Sequence, residues 1–160
     1  MAKLADLKFT YWVYMKGYRY RSHDWRPGAR LAKPLAESRL AVVTTSSFHL
    51  PDQPPFDESL KGGDYSYREI PAGAKLSSLR MSHRSDAFDE RGLMADANLA
   101  LPLDRLHEMA AAGEIGSVAP RHFSFQGSIP APTRLVKMTA PEVADHLKHD
   151  GVDAVLLTPV

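Results

Sequence analysis

The sequence predicts an α/β domain, a Rossmann-like layered sheet with helices that is incomplete at its carboxyl-terminal end. Three observations predict it. Residues 39–45 (RLAVVTT) form a β-branched run that is continuously apolar from Leu40 to Val43, the pattern of a strand covered on both faces in a parallel sheet. Two later segments, 102–112 and 139–148, carry helix start and stop residues. The last nine residues, 152–160 (VDAVLLTPV), follow the second helix at once and read as a buried strand. Strand, helix, helix and strand with short joints make a layered α/β architecture. In an open sheet of this kind, ligands sit beyond the carboxyl ends of the strands. The chain therefore ends where such a fold places its chemistry, as a fragment would, or as a subunit whose sheet something else completes.

Composition sets the outer bounds. With 160 residues, 44% hydrophobic and 24% charged, the chain has the make-up of an ordinary globular protein, and we treat 1–160 as a single domain with 1–38 an amino-terminal helix and linker. A net charge of +1 argues against a dedicated nucleic-acid binder. No apolar run approaches a membrane span, and the first residues (MAKLAD) lack an apolar signal core, so we read the protein as cytoplasmic. The absence of cysteine excludes disulfides, thiolate metal sites and thiol catalysis within these residues.

Along the chain, Leu4, Leu7, Tyr11, Met15 and Tyr18 recur at helical spacing, which predicts an amphipathic helix over the first twenty residues. The basic aromatic run at 18–21 reads as solvated arginines at its end. After the 39–45 strand, Thr44, Thr45, Ser46 and Ser47 supply small hydroxyls suited to a ligand loop, although ordinary loops carry them too. Gly62-Gly63-Asp64 marks a turn. Residues 67–71 predict a short strand, and 75–82 another. Pro102 and Gly113 bracket a helix with Leu103, Leu106 and Ala110 facing inward. Residues 115–118 predict a brief strand or turn. Thr139 and Glu142 form a capping box with Pro141 in the first turn, and Gly151 closes that helix.

Two polar segments are candidates for chemistry. In 82–92, His83 can trade protons near neutrality, Asp86 and Asp89 can fix its tautomer, and Arg84 can grip a carboxylate in a two-pronged hydrogen bond. A solvated loop with local ion pairs would carry the same residues. In 120–128, Arg121 and His122 stand between a proline and two phenylalanines, as a binding loop would have it. Phe123 and Phe125 equally fit a half-buried strand. A metal held by His83, His122, Asp86 and Asp89 has no recognised ligand spacing behind it. His146 and His149 suit a helix carboxyl end. The rule on strand ends predicts that His83 and Arg121 lie within roughly 10 Å of Val160.

The run Asn98, Pro102, Asp104, Arg105 and Leu106, followed by Gly113, Ile115 and Gly116, resembles the N-x-x-x-P-x-D-R-L … G-x-I-G pattern of the glycine/sarcosine/betaine and D-proline reductase selenoprotein B family. The 83–89 segment and the 151–158 run are similar in place, so the resemblance covers most of the chain from Leu40 onward. It implies a divergent selenoprotein B-like oxidoreductase subunit that cleaves a carbon–nitrogen or similar carbon–heteroatom bond at the expense of a dithiol. His83, Asp86 and Asp89 would be catalytic. Arg84, Arg121, His122 and Thr158 would bind a small amino-acid-like substrate. No cofactor is expected within the chain. The resemblance implies a selenocysteine or cysteine immediately after Val160, a reading frame truncated at that codon, and a chain inactive by itself. A pyruvoyl-bearing reductase subunit and a dithiol or thioredoxin-type electron donor are the implied partners. The alternative is a non-catalytic α/β binding module, or a structural subunit completed by a partner.

Overall fold

A computed structural model describes residues 8–18, 24, 28–83 and 88–160. The chain divides into two compact units, 1–30 and 31–160. In the first, helix α1 (Phe9–Gly17) buries none of its residues. Local ring contacts brace it instead: Phe9 stacks on Trp12 at 6.1 Å, and Lys16 lies 4.3 Å from the Trp12 ring centre. This corrects the amphipathic helix expected over the first twenty residues. The described helix is nine residues long, and its apolar side chains meet no core within it. The expected Leu4 and Leu7 positions and residues 19–21 lie outside the described residues.

The second unit is the expected α/β layer structure. Strand β1 (Arg39–Thr44) lies inside a five-stranded sheet. Leu40 to Thr44 pair in parallel with β7 (Ala154–Thr158) on one flank. The other flank is shared by two short parallel strands, β5 (Ser117–Val118) at the start of β1 and β6 (Arg121–Phe125) at its end. Ala119 and Pro120 interrupt that flank, where proline brings no N–H to the ladder. Strand β3 (Tyr67–Pro71) closes the sheet antiparallel to β6. A two-stranded ribbon, β2 (Phe48–His49) with β4 (Arg80–Met81), stands apart.

Successive side chains of a strand face opposite sides, and this sheet is covered on both. Ala41, Phe123 and Phe125 pack with Val143 and Leu147 of helix α4 (Ala140–His149). Leu40, Val42 and Ile70 pack on the other face. Their partners include Phe48, Leu93 of helix α2 (Arg91–Ala95), and Leu103 and Leu106 of helix α3 (Leu103–Ala111). Both α3 and α4 present leucine or valine at helical spacing, which is why each turns one stripe inward.

Three expectations are corrected. Residues 75–82 are a 3-10 turn at Leu76–Ser78 followed by only the two-residue β4, because Ser78 and Leu79 bond back to Lys75 and Leu76. Thr139 is not a helix cap. It has helical dihedrals, its hydroxyl donates to the Tyr65 carbonyl at 2.7 Å, and helical turns already begin at residue 133. Pro141 lacks an N–H and crowds the carbonyl four residues back, and the preceding Leu135–Thr139 turn widens to a π-helix. Finally, β7 is not buried. Leu157 is 68% exposed and Leu156 40%, since β1 alone flanks this strand among the described residues. Among those residues, no helix is long and apolar enough to cross a membrane.

Candidate functional site

The carboxyl ends of three parallel strands meet at one place. Leaving β1, the Thr45 N–H donates to the Thr158 carbonyl at 3.2 Å, and its hydroxyl receives the Val160 N–H at 2.9 Å. The Thr44 hydroxyl also donates to the Thr158 carbonyl, at 3.2 Å. Ser47 then turns the chain with φ +60, a left-handed conformation costly for a residue with a Cβ. Its N–H donates to the Phe125 carbonyl, its Oγ receives the Gly127 N–H, and its carbonyl receives the Ser82 N–H. Ser46 and Ser47 are fully buried.

His83 follows Ser82 into this junction. A Cβ built on Gly127 would stand 2.7 Å from His83 Nε2, 2.8 Å from the Thr45 carbonyl oxygen and 3.2 Å from the Val160 carbonyl oxygen. Only a residue without a side chain lets these three groups close on one point. The imidazole stacks on Phe88, ring centres 4.1 Å apart. Burial pushes its pKa below the ordinary histidine value, against the weaker pull of Glu90 and Glu58. His83 therefore rests as a neutral imidazole at neutral pH. A nearby anion would favour its charged form.

The other expected site residues are distributed differently. Arg84 and Asp86 lie outside the described residues. Asp89 is exposed and forms a two-pronged pair with Arg91, at 2.8 and 2.6 Å. Those hydrogen bonds hold its carboxyl at about 2. This places it in a local surface ion pair rather than on His83.

Arg121 corrects the expectation most clearly. It opens β6, whereas His83 meets the far end of that strand. Gly127 lies six positions beyond Arg121, at most about 20 Å along extended chain. At this opposite edge, Arg121 donates to both carboxylate oxygens of Asp150, at 2.7 and 3.1 Å, and to Glu69 at 3.1 Å. These bonds hold its pKa above the ordinary arginine value. It clamps α4 to the sheet.

His122 is corrected as well. It is fully buried, and its Nδ1 accepts the Val42 N–H at 3.0 Å, where the β5–β6 interruption removes a strand carbonyl. Burial, with the His107 charge second, pushes its pKa down to about 4. It completes the sheet from within the core. Thr158 reaches the junction through its carbonyl, but its hydroxyl donates to Ala100 at 2.6 Å and so ties β7 to the turn before α3. His146 packs against Phe123 and bonds the Tyr67 hydroxyl at 3.1 Å. Among the described residues, no group of three or more acidic and histidine side chains is placed to hold a metal.

Gly127 carries no site signal in the sequence, and Ser47 carries one only as a member of the 44–47 hydroxyls. The hydroxyl run at 44–47, directly after a doubly covered strand, was the available signal. The family-like motif, by contrast, builds the fold. Asn98 accepts the Asp104 N–H at 3.1 Å and donates to the Asp104 carboxylate at 2.9 Å, sealing the start of α3. Gly116 passes so close to Glu37 that a Cβ would stand 2.5 Å from that residue's carbonyl carbon.

An open α/β sheet with a histidine and hydroxyls gathered over its strand ends defines a class of ligand-handling domain. Within that class, the chain belongs to the glycine/sarcosine/betaine reductase selenoprotein B family, whose model matches residues 2–160. It is 33% identical over 134 residues to D-proline reductase subunit gamma of Acetoanaerobium sticklandii, covering 84% of this chain and 52% of that protein. It is 28% identical over 158 residues to glycine reductase complex component B subunit gamma of Carboxydothermus hydrogenoformans, covering 99% and 35%. Betaine reductase complex component B subunit beta of Peptoclostridium acidaminophilum is 29% identical over 126 residues, covering 79% and 29%. The chain thus spans about half or less of the length of these relatives. No solved structure matches it.

Proposed function

We propose that this chain is part of a reductase-complex component that reductively cleaves a carbon–nitrogen bond in a small amino-acid-like substrate. The observation that carries this reading is the convergence of His83, Thr45 and Val160 on Gly127, in a chain of this family. In the overall reaction a carbon–nitrogen bond breaks and a carbon–hydrogen bond forms. Two electrons come from a dithiol, which leaves as a disulfide, and the amine departs protonated. A selenocysteine or cysteine following Val160 supplies the nucleophile in this proposal. A pyruvoyl-bearing subunit and a dithiol or thioredoxin-type donor are the proposed partners.

The residues present fit an anionic nucleophile. The Gly127 cradle brings His83 Nε2 beside the Val160 carbonyl without an intervening side chain. Thr45 holds Val160 at its N–H, which fixes the backbone just before the proposed nucleophile. His83 is neutral at rest. An anion beside it raises the imidazole pKa. The imidazolium then stabilises that anion and delivers its proton to the departing amine. The buried hydroxyls of Ser46 and Ser47 fix the β1 end through the Thr44 hydroxyl and the Gly127 N–H.

The test is dithiol-dependent turnover of glycine, sarcosine, betaine and D-proline by the chain extended past Val160, with its partner subunit. Replacing His83 by alanine should lower turnover on the order of a hundredfold, the scale of a lost general acid. Wild-type rates in that variant would remove His83 from the mechanism.

A further inference from the structure

The loop leaving the Gly127 junction runs beside a second cavity, of about 450 Å³. Its wall includes the bare backbone of Gly62 and Gly63, with Tyr65 and Thr133 beside them and Lys61 and Arg134 as its cations. No acidic residue lines it. Gly63 has φ +84, and a Cβ there would stand 3.0 Å from the Ile129 Cα, so the two loops meet backbone to backbone. The Ala131 N–H donates to the Gly62 carbonyl at 3.2 Å and fixes the pair. Arg134 holds its guanidinium 5.4 Å from the Tyr65 ring centre.

Both cations lack an ion-pair partner among the described residues. This sets them apart from Arg121, which serves two carboxylates, and from Arg68, which is engaged with Asp64, Pro54 and Pro55. Lys61 and Arg134 are also exposed, so an incoming anion displaces only water from them. The cavity is near the junction described above. Ile129, which touches Gly63, is two residues beyond Gly127, at most about 7 Å of chain. Lysine and arginine side chains span that distance.

We propose that this cavity seats the carboxylate of the substrate, held between Lys61 and Arg134, with an apolar ring or alkyl body lying along Tyr65 and Ala131. The proposal rests on the reductase reading above and deepens it. It assigns to Lys61 and Arg134 the carboxylate-holding role that the sequence suggested for Arg121. It also selects a substrate class. The cavity's apolar wall of Leu60, Tyr65 and Ala131 offers contact to an amino acid with an apolar body that glycine lacks.

The experiment is equilibrium binding to the 160-residue chain by calorimetry or ligand-observed NMR, which requires no turnover. The probes are D-proline, glycine, D-proline methyl ester and inorganic phosphate. D-Proline should bind at least tenfold more tightly than glycine. The ester should lose that binding, and affinity should weaken with salt. Lys61→Gln and Arg134→Gln should each weaken D-proline at least tenfold, with circular dichroism confirming an intact fold, while Arg134→Lys restores part of it. Wild-type affinity in the double variant, or no binding of D-proline at millimolar concentration, overturns the proposal. So does phosphate binding as tightly as D-proline, which would mark a plain anion site. Binding that behaves as expected, combined with no turnover in the extended protein, leaves the seat standing and removes the reductase reading. Lost binding with normal turnover does the reverse.

Discussion

His83 Nε2 lies 2.7 Å from where a Cβ on Gly127 would stand, so the histidine occupies the space that a side chain at 127 would fill. Two segments separated by more than forty residues are matched through one missing methyl group. The Thr45 carbonyl, at 2.8 Å from the same point, is backbone and cannot rotate away.

Gly127→Ala should therefore displace His83 and strain the end of β1. The cost in stability should be about 1–3 kcal/mol, the usual scale of overpacking. Turnover in the extended protein should fall at least tenfold. Thermal unfolding measures the first effect. An NMR titration of the His83 ring should show its pKa returning toward the ordinary histidine value. An unchanged titration would mean the ring does not depend on this cradle.

Arg121→Ala should cost stability and spare the chemistry. The pair with Asp150 is only partly shielded, so about 1 kcal/mol is expected. The sign with pH follows from the carboxylate. Arg121 lowers the Asp150 pKa in the folded state, so the pair's contribution is fully present above the unfolded carboxyl value near pH 4 and is lost as pH falls through the folded value. Acid unfolding of the variant should lack this component. If turnover collapsed while stability held, Arg121 would belong to the reaction after all.

His122 adds a second acid-sensitive component of the same sign, in a higher pH window. Its folded pKa of about 4 lies below the unfolded value near 6.5, so the unfolded chain takes up its proton first on acidification. Stability should rise between about pH 4 and 6.5 and be lost as pH falls through that window, by up to about 3 kcal/mol. His122→Asn, whose carbonyl can still receive the Val42 N–H, should flatten that slope. Denaturant unfolding at several pH values decides it.

Gly116→Ala tests the family-like motif as a fold element. The added carbon would meet backbone atoms of Glu37 and Ser38 at 2.5–2.8 Å, which nothing flexible can relieve. Destabilisation of about 3 kcal/mol or more is expected, enough to unfold a marginal domain. A near-native melting temperature would show that the 35–38 turn can move.

Local signals in the sequence carried much of the architecture. The doubly apolar β1, the β3 run, the leucine spacing of α3 and the stripe of α4 each follow from propensity and periodicity that neighbours a few residues away enforce. The strand-end rule also directs attention to the carboxyl ends of the parallel strands, and His83 and the 44–47 hydroxyls lie there. What the tertiary structure alone decided was which polar residue faces which partner. Arg121 and His83 looked alike as site residues. The length of β6, about 13 Å from Arg121 to Phe125, separates Arg121 from the end of the strand where His83 lies, and Asp150, 29 positions away in sequence, claims the arginine. His122 looked like a ligand-binding side chain. Pro120 breaks the neighbouring ladder, and the Val42 N–H, 80 positions away, takes this imidazole as its acceptor. Lys61 and Arg134 carried no local signal at all. Their common cavity is lined by two segments about seventy positions apart, brought together beside the close Gly63–Ile129 contact by long-range packing rather than by any pattern along the chain.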